Sequence, residues 1–293
     1  MARVGFIGLG NMGGGMAASL ARNGHDVRAF DLSAEALARA GQAGCLVVAS
    51  ALEAAEGAEA IVTMLPAGRH VEEVYAALFR VAPLSAILID CSTIDVATAR
   101  RLAENAQTRG LAAVDAPVSG GISAATTGTL TFMVGGSAEG YGRAAPFLSN
   151  MGKAVIHAGG NGAGQAAKIC NNMLLGATMV ATCEAFLLAQ KLGLDPQTFF
   201  DISSVSSGQS WSMTSYAPLP GVGPDTPADH DYRGGFATAL MLKDLRLAMA
   251  AAGDTGVRTP MGEKAAELYE TFAANGQGAL DFSAIIRLLE DNG

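Results

Sequence analysis

Arg3-Val4-Gly5-Phe6-Ile7-Gly8-Leu9-Gly10-Asn11-Met12-Gly13 is the stretch that decides the fold. A short apolar run, Val4 to Ile7, stops at a glycine cluster, and a helical pattern follows. Gly8, Gly10 and Gly13 fit G-x-G-x-x-G where a first strand hands over to a first helix. The first glycine allows a tight turn, the second lets the backbone approach a pyrophosphate, and the third lets helix and strand pack closely. The helix N-terminus adds unpaired N–H groups and a partial positive charge.

Working outward, Gly24 is a helix stop, and Asp26 to Phe30 reads as a second strand ending on Asp31. A carboxylate about 20 residues past the glycines, at the tip of the second strand, suits the ribose 2′-OH of NAD. It would also repel a 2′-phosphate, and no arginine follows it directly, so NAD is expected over NADP. The alternative is a strand-end aspartate that caps a helix starting near Ser33.

The alternation continues. Strands are expected at Val4–Ile7, Val27–Phe30, Leu46–Val48, Ile61–Met64, Ile87–Asp90 and Ala112–Asp115. Helical patterns lie between them near Met12–Arg22, Ala34–Ala40, Val71–Phe79 and Ala97–Arg109. This order predicts an α/β class, with a Rossmann-type doubly wound, mostly parallel sheet. In such sheets ligands bind outside the carboxyl ends of the strands. Those ends carry Gly8–Gly13, Asp31, Leu65-Pro66, Cys91-Ser92-Thr93 and Ala116–Gly121. Two more strands, Leu130–Val134 and Ala154–Ile156, flank a helix at Glu139–Leu148 and extend the sheet. Past Gly164 the pattern is helical: Ala166–Leu192, Pro196–Ser203, Thr238–Ala252, Gly262–Asn275 and Phe282–Glu290. Residues 1–163 are therefore expected to form a dinucleotide-binding domain and 164–293 an all-α domain. Ser206–Gly235, rich in Ser, Gly and Pro, reads as a long ordered loop of the kind that often serves as a lid.

Composition limits the alternatives. With 19 basic and 27 acidic residues the net charge is −8, and no basic run offers a nucleic-acid footprint. Cys45, Cys91, Cys170 and Cys183 form no C-x-x-C pair. The four histidines are scattered, so no metal site is expected and a reducing, cytoplasmic compartment fits. The first strand begins at once, which leaves no room for a signal peptide. The most apolar window, Met173–Cys183, is short and bounded by polar residues, so it reads as a buried helix rather than a membrane span.

Three places could carry chemistry. Ser119-Gly120-Gly121 follows a strand and could cradle a carboxylate on backbone N–H groups, or form an ordinary turn. Lys168 and Asn172, four apart, share one helix face. Apolar neighbours Ala166, Ala167, Ile169 and Cys170 would desolvate Lys168 and ease loss of its proton, which suits a general acid/base. A lysine reaching to solvent is the alternative. Lys243 could reach a ligand or pair with Asp244.

With these pieces in place the chain resembles the β-hydroxyacid dehydrogenase family over essentially its whole length. Gly8–Gly13 is similar to its dinucleotide signature and Asp115–Gly121 to its substrate signature. Gly164-Gln165-Ala166-Ala167-Lys168-Ile169-Cys170-Asn171-Asn172 is similar to its catalytic signature, and Lys243-Asp244-Leu245 to its late cofactor motif. The resemblance implies Lys168 as the general acid/base, with Ser119, Gly120, Gly121 and Asn172 holding the substrate. It implies NAD held by Gly8, Gly10, Asn11, Met12, Gly13 and Asp31, with Leu65, Pro66 and Thr93 on the nicotinamide side and Lys243 in contact. His70 falls at a cofactor position by resemblance, and reads as a surface histidine by residue type. Cys91-Ser92-Thr93-Ile94-Asp95 and the loop with Trp211 are most similar to members acting on 3-hydroxyisobutyrate, which makes Trp211 a substrate residue. Tartronate semialdehyde, 4-hydroxybutyrate and serine are the alternative substrates, and a non-enzymatic binding member of the fold is the alternative outside the enzyme class, against which the retained Lys168 and Asn172 argue. A homodimer or homotetramer is implied, with no nucleic-acid or membrane partner.

Overall fold

The computed structural model describes residues 1–291. They fall into two compact units, Met1–Lys168 and a second from Ile169 onward.

The first unit is built on one sheet. β1 (Arg3–Ile7), β2 (Asp26–Phe30), β3 (Leu46–Val47), β4 (Ala60–Thr63), β5 (Ile87–Asp90) and β6 (Ala112–Asp115) run parallel in the order β3-β2-β1-β4-β5-β6. The sheet continues through β7 (Val118–Ser119), β8 (Leu130–Gly135) and β9 (Gly152–Gly159). β8 is antiparallel to β6 and β7, and β9 runs parallel to β8. The expected doubly wound sheet is present.

Helices cover both faces, so strand residues are apolar on both sides. Val4 and Phe6 of β1 enter the core formed with Met16 and Leu20 of α1 (Gly13–Arg22). Ile7 points the other way, into a core shared with Val71, Tyr75 and Leu78 of α4 (Gly68–Leu78) and with Ala99 and Leu102 of α5 (Val96–Gln107). This period-2 alternation is what the pleat demands. α2 (Ala34–Gln42) and α7 (Ala138–Leu148) lie where the pattern placed them, within a few residues. Two short helices, α3 (Ala51–Ala55) and α6 (Gly121–Thr127), gave no periodic signal at five and seven residues. α3 packs so close to β1 that a Cβ on Gly5 would lie 2.5 Å from the Ala54 carbonyl oxygen.

α8 (Ala163–Lys191) begins in the first unit and continues into the second. It starts three residues earlier than its apolar pattern suggested. The Asp115 carboxylate accepts the N–H of Gly162 at 2.7 Å and of Gln165 at 2.8 Å, which ties the start of the helix to the end of β6. Gly164 allows the approach, since a Cβ there would lie 2.7 Å from the Asp115 carbonyl oxygen. The first compact unit thus includes the opening turns of α8, through Lys168.

The second unit contains α9 (Pro196–Ser203), α10 (Trp211–Thr214), α11 (Thr238–Thr255), α12 (Pro260–Phe272) and α13 (Ile285–Asp291). Met179, Cys183 and Phe186 of α8 pack in its core with Met241, Leu245, Tyr269 and Phe282. By length and composition α8 could cross a membrane. The packing of these residues and its Asn171-Asn172 pair mark it instead as a core helix. The 206–235 segment is ordered, as expected, but is not bare loop. It holds α10 and a 3-10 turn at Pro227–His230, and Tyr216 Oη donates to Asp281 Oδ2 at 2.9 Å. Trp211 stacks on Tyr216 with ring centroids 4.8 Å apart.

Candidate active site

The glycine turn after β1 is shaped by close approaches. Gly8 has φ +95° and its N–H donates to the Phe30 carbonyl at 2.9 Å. A Cβ on Gly8 would strike the Met64 carbonyl, and one on Gly13 the Gly8 carbonyl. At exposed Gly10 a Cβ would meet nothing within 4 Å. Gly8 and Gly13 are thus required by the fold, whereas Gly10 is glycine beside open space. α1 starts after Met12 with no side-chain cap and no acid in its first turn. Its dipole end is left for an anion, with Asn11 exposed beside it. These features fit the pyrophosphate of a dinucleotide.

Asp31 does not cap α2; that role belongs to Ser33, whose Oγ accepts from Ala36 N–H. Instead Asp31 Oδ2 accepts from Leu9 N–H at 2.5 Å and Oδ1 from Ser33 N–H at 2.8 Å. The carboxylate therefore sits half-buried against the glycine turn, where a ribose would lie.

Next along the same edge, Ser92 is buried and bonded on two sides. Its Oγ accepts from Leu65 N–H at 2.8 Å and donates to Asp90 Oδ1 at 2.6 Å. Asp90 Oδ1 also accepts from Thr63 Oγ1 at 2.8 Å. Its Oδ2 is buried without a hydrogen-bond partner. Burial pushes the Asp90 carboxyl up to about 6. Leu65 and Thr93 are half-buried and Pro66 is exposed. His70 lies in the first turn of α4; its Nε2 faces Arg69 Nε at 3.3 Å, and its buried Nδ1 has no hydrogen-bond partner.

Ser119 ends β7, and Gly120 and Gly121 follow with φ +131° and +71°. Both glycines are exposed, and α6 starts at Gly121. Lys168 lies on α8 and is only 8 % exposed, so the residue as a whole is buried.

In the second unit Asn172 is buried at 2 % exposure. Its Nδ2 donates to Asp244 Oδ2 at 2.6 Å, and its Oδ1 accepts from Asn171 Nδ2 at 3.0 Å. These two bonds set which way the amide faces. Asp244 Oδ1 lies 3.4 Å from Lys243 Nζ. Trp211 is half exposed and Lys243 about one-third exposed.

Sequence reading missed three working parts. Gln165 is fully enclosed and bridges Ser92 and Ile94. Asp115 was read only as part of a motif, and Asp244 only as an ion-pair partner. A polar residue amid Gly164, Ala166 and Ala167, three before Lys168, was the available signal for Gln165. Elsewhere, a cleft of about 370 Å³ between α4 and α5 is lined by Arg80, Arg101 and Arg109. Arg101 pairs with Glu72 there, and Arg109 stacks over Phe79.

Comparison with known proteins agrees with this geometry. Residues 3–160 match the NAD binding domain of 6-phosphogluconate dehydrogenase. Residues 162–289 match the model described as NAD-binding of NADP-dependent 3-hydroxyisobutyrate dehydrogenase. The 3-hydroxyisobutyrate dehydrogenase of Pseudomonas aeruginosa is 50% identical, covering 98% of each chain. The chain belongs to the β-hydroxyacid dehydrogenase family. Other members of this family are equally close in length. An NAD-dependent L-serine dehydrogenase of Pseudomonas aeruginosa is 43% identical over 99% of this chain and 98% of its own. The solved structure of the Mycobacterium tuberculosis 3-hydroxyisobutyrate dehydrogenase with L-serine has a TM-score of 0.94 at 45% identity, covering 99% of each chain. As a β-hydroxyacid dehydrogenase this chain is an NAD-dependent oxidoreductase.

Proposed function

We propose that the protein oxidises 3-hydroxyisobutyrate to methylmalonate semialdehyde with NAD, a step of valine breakdown, and that Lys168 is its general acid/base. The observation that carries the assignment is a lysine buried to 8 % exposure, on a helix whose start Asp115 ties to the sheet edge. Enclosure by protein keeps such a side chain beside a bound substrate and away from bulk water, which suits a group that exchanges a proton with it. In its unprotonated form Lys168 takes the hydroxyl proton of the substrate; in the reverse direction it returns that proton. Bound NAD supplies the hydride acceptor. Gly10, the uncapped start of α1 and Asp31 hold the dinucleotide, and the Asp31 carboxylate disfavours a 2′-phosphate. Leu65, Pro66 and Thr93 orient the nicotinamide end, with His70 and Lys243 as further contacts. Ser119, Gly120, Gly121 and Asn172 orient the substrate, with Trp211 shaping its specificity.

The choice of 3-hydroxyisobutyrate draws on the relatives of that name at 45–50% identity. A second reading, L-serine oxidation, has its own support in the serine dehydrogenase relative and the serine-bound Mycobacterium structure. A kcat/KM comparison across 3-hydroxyisobutyrate, L-serine, 4-hydroxybutyrate and the reduction of tartronate semialdehyde separates them. 3-Hydroxyisobutyrate is expected to lead by at least about tenfold, near the discrimination one well-placed apolar or polar contact gives. A lead by serine would replace the first reading.

The test of Lys168 is Lys168→Ala. Turnover is expected to fall by roughly 10²-fold or more, the usual contribution of a positioned proton-transfer group, while NADH still binds. Near-wild-type turnover would refute the assignment. We further place the protein in the cytoplasm as a homodimer or homotetramer. Exposed Leu174, Leu188, Leu192, Ile202 and Val205 of the second unit give such an assembly apolar surface to cover. Light scattering that returns the mass of one chain would reject the oligomer.

A further inference from the structure

Gln165 lies near the start of α8 with its side chain fully enclosed. Its Nε2 donates to the Ser92 carbonyl at 2.7 Å, and its Oε1 accepts from Ile94 N–H at 3.1 Å. One acceptor and one donor on alternate residues is how a neighbouring strand would pair. The side-chain amide takes the place of such a strand just beyond the end of β5. Thr93 is the residue held between the two bonds. The backbone of Gln165 is itself fixed, because its N–H donates to Asp115 Oδ2 at 2.8 Å while Gly162 N–H donates to Oδ1. Gln165 and Lys168, three apart on one helix, share a face.

We infer that Gln165 is a positioning residue: its amide, anchored through Asp115, holds Thr93 and Lys168 in a fixed mutual arrangement. The inference rests on the reading of Lys168 as proton acceptor and Thr93 as a nicotinamide contact. Bond polarity makes the requirement specific. Ser92 offers an acceptor and Ile94 a donor, so the side chain at 165 must present one donor and one acceptor. Methionine fills the volume but leaves both backbone groups unpaired. An ionised glutamate sets oxygen against the Ser92 carbonyl, whereas a protonated one can donate to it. Three titratable groups surround the position. Asp115 holds the backbone of Gln165, Asp90 accepts from Ser92, and Lys168 is one turn along.

The experiment compares wild type, Gln165→Met and Gln165→Glu between about pH 6 and about pH 9, reading kcat, KM and NADH affinity by cofactor fluorescence. Gln165→Met is expected to lose about 10²-fold in kcat at every pH, as displacement of reacting groups by about 1 Å does. Its NADH affinity should weaken less than kcat falls, because the adenine half of the site is untouched. Gln165→Glu is expected near wild type at the acid end and to fall toward the methionine variant as pH rises. A methionine variant within about threefold of wild-type kcat, less than 1 kcal/mol, overturns the inference. So does a glutamate variant whose pH profile runs parallel to wild type. Amide exchange on the wild-type protein gives an independent reading: Ile94 N–H should be strongly protected, and exchange at the rate of open loop amides overturns the brace even if neither variant folds. Should the wild type oxidise no hydroxy acid, the functional reading fails, while NADH affinity and Ile94 exchange still decide the brace.

Discussion

Asp90 offers a measurable link between pH and stability. Its carboxyl is 4 % exposed, with three donors on Oδ1 (Thr63 Oγ1, Ser92 N–H and Ser92 Oγ) and none on Oδ2. Desolvation outweighs these bonds and raises its pKa from 3.8 to about 6. The folded state therefore binds the proton more tightly than the unfolded chain. That stabilising contribution is fully present below about pH 4 and is lost as pH rises through about 6. The full difference is about 3 kcal/mol, two pKa units at 1.36 kcal/mol each. The variant Asp90→Asn keeps an acceptor for the three donors and cannot ionise. Relative to wild type it should gain about 1 kcal/mol at pH 4.5 and about 3 kcal/mol at pH 8. Urea unfolding followed by circular dichroism at several pH values, with amide exchange in β5, measures this. A constant offset between variant and wild type across the range would refute the reasoning, as would a growing deficit of the variant toward pH 8.

Three other outcomes are expected. Gly10→Ala should leave the melting temperature within about 2 °C of wild type, less than the shift of a 1 kcal/mol change, yet weaken NADH binding; Gly13→Ala should destabilise the first unit because its Cβ meets backbone. Asp244→Ala should lower kcat/KM for the hydroxy acid by roughly tenfold or more, since the Asn172 amide loses the carboxylate that orients it, and an unchanged kcat/KM would dismiss that role. Asp31→Ser should raise the NADPH to NADH preference by about tenfold as a repelling charge is removed, while NADH itself binds less tightly; an unchanged ratio in steady-state kinetics would remove Asp31 from cofactor choice.

Much of the fold could be read before any coordinates. Apolar runs of four or five residues broken by glycines gave β1, β2, β4, β5 and β6, because strands buried on both faces have little choice but to be apolar. Asp195-Pro196 marked the start of α9, since an N-cap and an N1 proline are local signals. The short elements were missed for the same reason: Ala51–Ala55 and Val118–Ser119 are too brief for a period to show. The start of α8 was misplaced because a distant carboxylate, Asp115, extends the helix past its apolar pattern.

The glycine spacing, the acid at the second strand tip and the Lys168–Asn172 interval were fixed by sequence alone, for each depends on residues near one another along the chain. Which glycine is structural and which faces open space was not, and neither was the burial of Lys168. The bonds of Gln165 to Ser92 and Ile94 reach back more than 70 residues, and that of Asp244 to Asn172 spans 72. A hydrogen bond needs its partners within about 3 Å, and no local pattern records which distant backbone group will arrive there. Only folding brings these partners together, and it is the folded chain that turns a recognisable motif into an oriented set of donors and acceptors.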